Sequence, residues 1–299
     1  MSFSSDIKNE LAQITEVGCC AVAQAYGMVQ LGHAFSLRAV SLQTENEAVA
    51  ARYAALLTEV CRVKPTLSVP SSAGSGMYTV AVQTPAERKA VLERFGHGGD
   101  VTLRLNRPNL ECEACAAAFL RGAFLVCGAV TNPQIDYHLE FSVPYLNVSN
   151  DLAALLREQG FAAKMVRRKG LYIVYFKESE QIEDCLTLMG AMNATLELMN
   201  VKIVKNIRNN VNRAANCENA NLDKTLAASM AQMDAVRKIE EHGAFEALPT
   251  QLRELCRLRA EHPEFSLREL GEALKPPISR SGVTHRLQRI VEFAAELGS

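Results

Sequence analysis

Three groups of side chains have types and spacings that could do chemistry. The first is the pair Cys112-x-x-Cys115 with the adjacent Cys19 and Cys20, since zinc takes thiolate ligands in spaced pairs. Adjacent cysteines are poor geometry for a single ion, so no metal and no other cofactor is expected there. The second is His138, in a β run with Tyr137 and Glu140. No nucleophile, base and orienting group can be assembled around it, so no catalytic residue is assigned. No glycine-rich phosphate loop is present either.

The third group lies near the C-terminus. Val283, Leu287 and Ile290 recur at helical spacing and define an inward face. Ser281, His285 and Gln288 therefore lie on the opposite side, flanked by Thr284 and Arg289, and all can donate to or accept from base edges in a major groove. From Lys275 to Val291 the cations are Lys275, Arg280, Arg286 and Arg289, with no acid among them. Ser279 or Ser281 caps this helix, whose positive end suits a phosphate. The candidate DNA-binding residues are thus Ser279, Arg280, Ser281, Thr284, His285, Arg286, Gln288 and Arg289. Arg280 and Arg286 are assigned to phosphates, and Ser281, His285, Gln288 and Arg289 to base discrimination.

The elements that must position this helix can be read upstream. TQLRELCRLRAE after Pro249 forms one helix, stopped at His262-Pro263. SLREL opens a second with a capping box, Ser266 paired with Glu269, and Leu267, Leu270 and Leu274 form its apolar face. Lys275-Pro276-Pro277 ends it, because proline cannot continue a helix. Three helices of this kind over 246–299 predict a helix-turn-helix.

Before residue 200 the chain repeats itself. MYTVAVQTPAERKAVLERFG (Met77 to Gly96) and LYIVYFKESEQIEDCLTLMG (Leu171 to Gly190) are each an alternating β stretch, a polar turn and an amphipathic helix ending in glycine. Upstream of them lie two further helices, near Ala51 and Asn150. Two small-residue helices come before those, from Cys19 and Cys115, each followed by a strand-like run. One αββαββα unit is used twice, over about 15–100 and 112–200, within a domain spanning 1–205. Small residues around Gly27, and around Gly122 and Gly128, let two helices approach backbone to backbone. The connector 206–245 follows. Its asparagines read as an ordered, hydrogen-bonded segment and Leu226 to Glu241 as a helix. Lys202, Lys205, Arg208 and Arg213 could contact DNA or pin the domains together, and Lys164, Arg167, Arg168 and Lys169 read as a basic turn between paired strands.

Composition bounds the rest. The formal net charge is −1, so any basic surface is local. Hydrophobic residues make up 48%, enough for a substantial core and too many for wholesale disorder. No run approaches the ~18 apolar residues of a membrane span, and the amphipathic MSFSSDIKNELAQI holds no apolar signal core. Nine cysteines then read as free thiols in a reducing cytosol, with Cys61, Cys185 and Cys256 as buried small hydrophobes.

Leu120 to Gly128, Leu-Arg-Gly-Ala-Phe-Leu-Val-Cys-Gly, resembles the spine motif of the LAGLIDADG homing-endonuclease fold. In that family an acid near the spine-helix end helps hold divalent metal. Here Cys127 stands in that place, and the first copy has leucine or glycine near residues 31–32. No Asp or Glu occurs between Glu16 and Glu45 or between Glu113 and Asp136, and a thiol does not replace a carboxylate toward Mg²⁺. CAAAFLRGAFLVCGAVTNPQIDYHLEF, NNVNRAANCENANLDKT and FSLRELGEALKPPISRSGVTHRL extend the resemblance to the WhiA family, bacterial DNA-binding regulators that combine a degenerate LAGLIDADG domain with a C-terminal helix-turn-helix.

The resemblance implies an α+β fold, a pseudo-two-fold double repeat followed by an all-α helix-turn-helix domain. It implies a non-enzymatic, sequence-specific transcriptional regulator in cell division, chromosome segregation or sporulation control. Double-stranded DNA at promoter regions is the expected partner, with a second regulatory protein through the LAGLIDADG-like domain, no membrane, and a cytoplasmic, nucleoid-associated location. Two other readings stay open: a protein-interaction scaffold whose C-terminal bundle only docks, and a metal-dependent homing-type endonuclease.

Overall fold

The computed structural model describes residues 2–69, 76–98 and 103–297. Parts of the first half-repeat (70–75 and 99–100) and the last two residues of the helix-turn-helix region lie outside them. The chain divides into two units, residues 1–205 and 206–299.

In the first unit, α1 (Phe3–Ala12) precedes two copies of one unit. The first copy runs α2 (Gly18–Gln30), β1 (Ala34–Phe35), β2 (Val40–Thr44), α3 (Glu47–Cys61), β3 (Thr66–Ser68), β4 (Tyr78–Ala81) and α4 (Pro85–Arg94). The second runs α5 (Glu113–Cys127), β5 (Gly128–Val130), β6 (Leu139–Val143), α6 (Leu146–Glu158), β7 (Lys164–Arg168), β8 (Leu171–Phe176) and α7 (Ser179–Met189). Each copy folds its strands into one antiparallel sheet, ordered β1-β2-β4-β3 and β5-β6-β8-β7. The registers correspond: Leu42 sits opposite Val80 in one sheet and Phe141 opposite Val174 in the other. Those four side chains are buried in a core shared by both copies.

The two copies meet along α2 and α5. A Cβ on Gly27 would collide with the carbonyl of Phe119 and lie 3.0 Å from the Ala123 nitrogen. One on Gly122 would collide with the carbonyl of Gln24 and lie 3.1 Å from the Met28 nitrogen. Phe119, Gly122 and Ala123 each stand 95 positions after Gln24, Gly27 and Met28. The contact is therefore the same contact made twice in opposite directions, which is what a two-fold axis between the helices requires. Only glycine permits it, because any side chain would hold the backbones apart.

Two sequence-based expectations are corrected. Lys164, Arg167 and Arg168 lie on the edge strand β7, every residue of which is exposed, and only Lys169-Gly170 makes the turn. Lys169 and Gly170 both take positive φ, 50° and 85°, closing a two-residue hairpin. The asparagine-rich connector is ordered, but its helix does not wait until Leu226: α8 runs unbroken from Met192 to Glu241. No glycine or proline falls between Gly190 and Gly243 to stop it, and asparagine costs a helix only ~0.5 kcal/mol per residue. Among the described residues no helix is long and apolar enough to cross a membrane.

Candidate functional site

The second unit is built around a core that α8 supplies with Ala235, Val236 and Ile239. Helix α9 (Thr250–Glu261) adds Leu252, Leu255 and Cys256; α10 (Leu267–Ala273) adds Leu270; and α11 (Arg280–Glu296) adds Val283, Leu287, Ile290 and Ala294. Arg259 of α9 is buried and ties the bundle together. Its Nη1 donates to the Phe265 carbonyl and its Nη2 to Ser229 Oγ, both at 2.7 Å. Loss of solvent there lowers its pKa.

Helix α10 starts with the capping box that the sequence announces. Ser266 N donates to Glu269 Oε2 at 2.7 Å, and Glu269 N donates to Ser266 Oγ at 3.3 Å. The backbone amide and then the side chain of Ser266 hold the Glu269 carboxyl below its usual range. After Ala273 the chain turns back on itself, and Ile278 N donates to the Gly271 carbonyl at 3.0 Å. A Cβ at Gly271 would lie 2.5 Å from the Ile278 carbonyl and 3.2 Å from Val283 Cγ2. Glycine at 271 therefore sets how closely the turn and the start of α11 approach α10.

Ser279 is the N-cap of α11, its Oγ accepting from Gly282 N at 3.3 Å and lying 3.0 Å from Ser281 Oγ. Of the assigned residues, Ser279, Arg280, Ser281, Thr284, His285, Gln288 and Arg289 are exposed, and Arg286 is half-buried on the flank. Thr284 donates its hydroxyl to the Arg280 carbonyl at 3.0 Å, leaving its oxygen free to accept. Gln288 Nε2 donates to Glu292 Oε1 at 3.1 Å, so a base would compete with that acid for the amide. Among the described residues no acid forms an ion pair with Arg280, Arg286 or Arg289. The structure thus gathers the eight side chains on the first three turns of one helix, with the core face turned away.

The other basic groups divide. Lys202 pairs with Glu183 at 3.2 Å and Glu180 at 3.5 Å. Lys205 donates to the Pro133 carbonyl at 2.7 Å and sits 4.9 Å over the Tyr137 ring. Both lysines therefore fasten the first part of α8 to the rest of the first unit, whereas Arg208 and Arg213 are exposed. His138 is occupied as well: its Nε2 lies 2.9 Å from Glu140 Oε2 and its ring stacks on Tyr175.

At the C-terminal ends of the central pair, Cys127 closes α5 with its Sγ directed at the Ala123 carbonyl, 3.2 Å away. Burial pushes its thiol up to about 12. Lys8 lies near enough to act on that thiol and is itself lowered by burial. A neutral thiol beside an ammonium is the opposite of what a hard divalent cation needs.

Comparison with known proteins fits this geometry. Residues 116–208 match the WhiA LAGLIDADG-like domain, and residues 211–294 match the WhiA C-terminal HTH domain. A Clostridium novyi protein named as a probable cell division protein WhiA is 36% identical over 312 residues, covering 99% of this chain and 98% of its own. The Clostridium perfringens protein of the same name is 39% identical over 311 residues, covering 99% and 98%. This chain belongs to the WhiA family. The crystal structure of full-length DUF199/WhiA from Thermatoga maritima shares the fold, with a TM-score of 0.59 at 24% identity over all of both chains.

The WhiA helix-turn-helix match contains all eight assigned residues, and the WhiA LAGLIDADG-like match begins inside α5 and runs into α8. The double repeat followed by a helical domain is thus the WhiA fold. Sequence reading did not find Gly271, whose signal was a glycine inside a short helix just before a proline turn, or Lys8, which lies 119 residues from Cys127.

Proposed function

We propose that this WhiA-family chain is a non-enzymatic, sequence-specific DNA-binding transcriptional regulator acting in cell division, as the names of its relatives suggest, or in the linked processes of chromosome segregation and sporulation. One observation carries the reading. Helix α11 turns Ser281, Thr284, His285, Gln288 and Arg289 outward together, on a segment with no acid from Lys275 to Val291. Such a face offers donors and acceptors to base edges, while Arg280 and Arg286 beside it suit phosphates. Ser279, as N-cap, presents the positive end of the helix to the backbone of the duplex.

The LAGLIDADG-like unit then serves as a scaffold without nuclease activity. Cys127 and Gly32 occupy the places where metal-binding acids would be needed, and Lys8 adds a positive charge there. Its exposed basic edge strand β7 can rest on DNA phosphates or on a second regulatory protein. The protein acts in the cytoplasm, on the nucleoid, at promoter regions. Genome-wide mapping of DNA bound by the intact protein tests this reading. Enrichment at a common sequence upstream of genes is expected, and it should vanish when His285, Gln288 and Arg289 are all changed to alanine. Uniform or absent DNA recovery would favour a scaffold whose C-terminal bundle only docks on other proteins.

A further inference from the structure

The four cysteines judged too poorly spaced for a metal come together in the fold. Cys19 and Cys20 lie in the first turn of α2, Cys112 is the N-cap of α5, and Cys115 lies in the first turn of α5. Because Gly27 meets Gly122, the N-terminal ends of these two helices must also meet, and Cys115 stands 95 positions after Cys20, at the equivalent place. Cys112 Sγ is 3.5 Å from Cys19 Sγ, 3.6 Å from Cys20 Sγ and 3.4 Å from Cys115 Sγ. All four sulfurs lie within 4.8 Å of one another.

We propose that Cys19, Cys20, Cys112 and Cys115 form a tetrathiolate site for one structural zinc ion, which staples the two halves of the LAGLIDADG-like unit at the N-terminal ends of α2 and α5. A zinc–sulfur bond of ~2.3 Å places tetrahedral sulfurs about 3.8 Å apart, close to the separations observed. An iron–sulfur cluster would need its cysteines spread around a body of several atoms, and sulfurs within 4.8 Å of one another enclose room for a single ion. Soft thiolates select zinc over magnesium or calcium.

The surroundings suit the charge. Four thiolates around a divalent ion leave a net charge of −2, and the positive ends of two helices point at it. Neither helix has a side-chain cap: Val17 has no hydrogen-bonding group and Cys112 makes no cap hydrogen bond. Cys115 N donates to the Cys112 carbonyl at 3.0 Å, and the other first-turn amides are left to donate to sulfur. Cys115 is buried, Cys19 and Cys20 half-buried, and Cys112 exposed, which leaves an entry path for the ion.

Four protein ligands close the coordination shell, leaving no position for a reacting water. The site also lies ~18 Å along α5 from Cys127, at the end opposite that of a nuclease metal. Its role is thus structural. It joins segments some 93 residues apart, fixing the contact between α2 and α5 from one end.

The test uses the full chain, purified under reducing conditions without a metal-affinity resin. Elemental analysis should find one zinc per chain. Replacement by Co²⁺ should give the thiolate charge-transfer and visible bands of a tetrahedral tetrathiolate centre. Cys112→Ser, at an exposed position, should weaken zinc in competition with a chromophoric chelator by at least about tenfold and lose the four-sulfur cobalt spectrum. Cys217→Ser, on the exposed face of α8, should change neither. Removing the metal should speed hydrogen exchange at the N-terminal turns of α2 and α5. Should Cys112→Ser fail to fold, the cobalt spectrum of the unaltered chain decides alone. Equal zinc affinity in the unaltered chain and Cys112→Ser, a cobalt spectrum without thiolate bands, or a disulfide within the four in freshly reduced protein would each overturn the proposal.

Discussion

Replacing Gly122 by alanine should destabilise the first unit, although the same change in an exposed helix would stabilise it by up to ~1 kcal/mol. The added methyl would overlap the Gln24 carbonyl and lie 3.1 Å from the carbonyl carbon of Gln24 and the amide nitrogen of Met28. Ordinary contact requires α2 and α5 to separate by about 1 Å, and such a gap forfeits a quarter to a half of each ~0.1–0.2 kcal/mol atom-pair attraction. Over some 40–60 pairs, on the order of those a single large buried side chain makes, the loss spans ~1–6 kcal/mol and centres near ~3 kcal/mol. Set against the helix-propensity gain, the net cost is about 1–3 kcal/mol, in the range of overpacked cores. Urea denaturation followed by circular dichroism, with hydrogen exchange of α2 and α5 peptides identifying the transition of the first unit, measures it. Gly27→Ala should cost a similar amount, and the double variant less than the sum of both, because the helices separate only once. A stabilising Gly122→Ala would refute the close-contact argument.

Gly271→Val should destabilise the second unit by ~1–3 kcal/mol, since its branched side chain meets the Ile278 carbonyl, and thermal melting should show it together with weakened DNA binding. Ser266→Ala should cost ~1 kcal/mol of helix stability through the lost cap, read in the same melt. The Glu269 carboxyl is held below its ordinary value of 4.5, so its contribution is complete above pH 4.5 and fades as pH falls through the lower folded value. Melts between pH 6 and pH 3 should therefore show the Ser266→Ala deficit shrinking toward the acid end. Plasmid and linear DNA should stay intact in Mg²⁺ or Mn²⁺, and nicking that survives purification yet disappears when α2 and α5 are altered would restore the nuclease reading.

Much of this was legible in the sequence because it rests on local periodicity. The apolar spacing of Val283, Leu287 and Ile290 was enough to orient α11, and the Ser266–Glu269 pair to start α10. The double repeat was readable because strand alternation and small-residue helices recur about 95 residues apart. What was missed depends on long-range placement or on absence. The unbroken α8 is signalled only by the lack of glycine and proline, while its asparagines suggest turns. The strand position of Lys164 to Arg168 is set by pairing with Leu171 to Tyr175, which charged residues at a sheet edge disguise. The meeting of Cys19 and Cys20 with Cys112 and Cys115 follows from pairing Gly27 with Gly122. Carried about two turns back toward the N-termini of both helices, that pairing points to the cluster.

The central claim is that α11 reads bases while its flanking arginines hold phosphates. It is tested most directly by measuring how Arg289→Ala and Arg286→Ala bind a genomically selected duplex and its scrambled counterpart across a salt series. Arg289→Ala should lose ~1–3 kcal/mol on the selected duplex and little on the scrambled one, relaxing the preference at one base position. Arg286→Ala should weaken both duplexes alike and lower the salt slope by about one unit. Equal losses on both duplexes for both variants would contradict the division of labour, and no loss for either would mean that α11 is not the element that meets DNA.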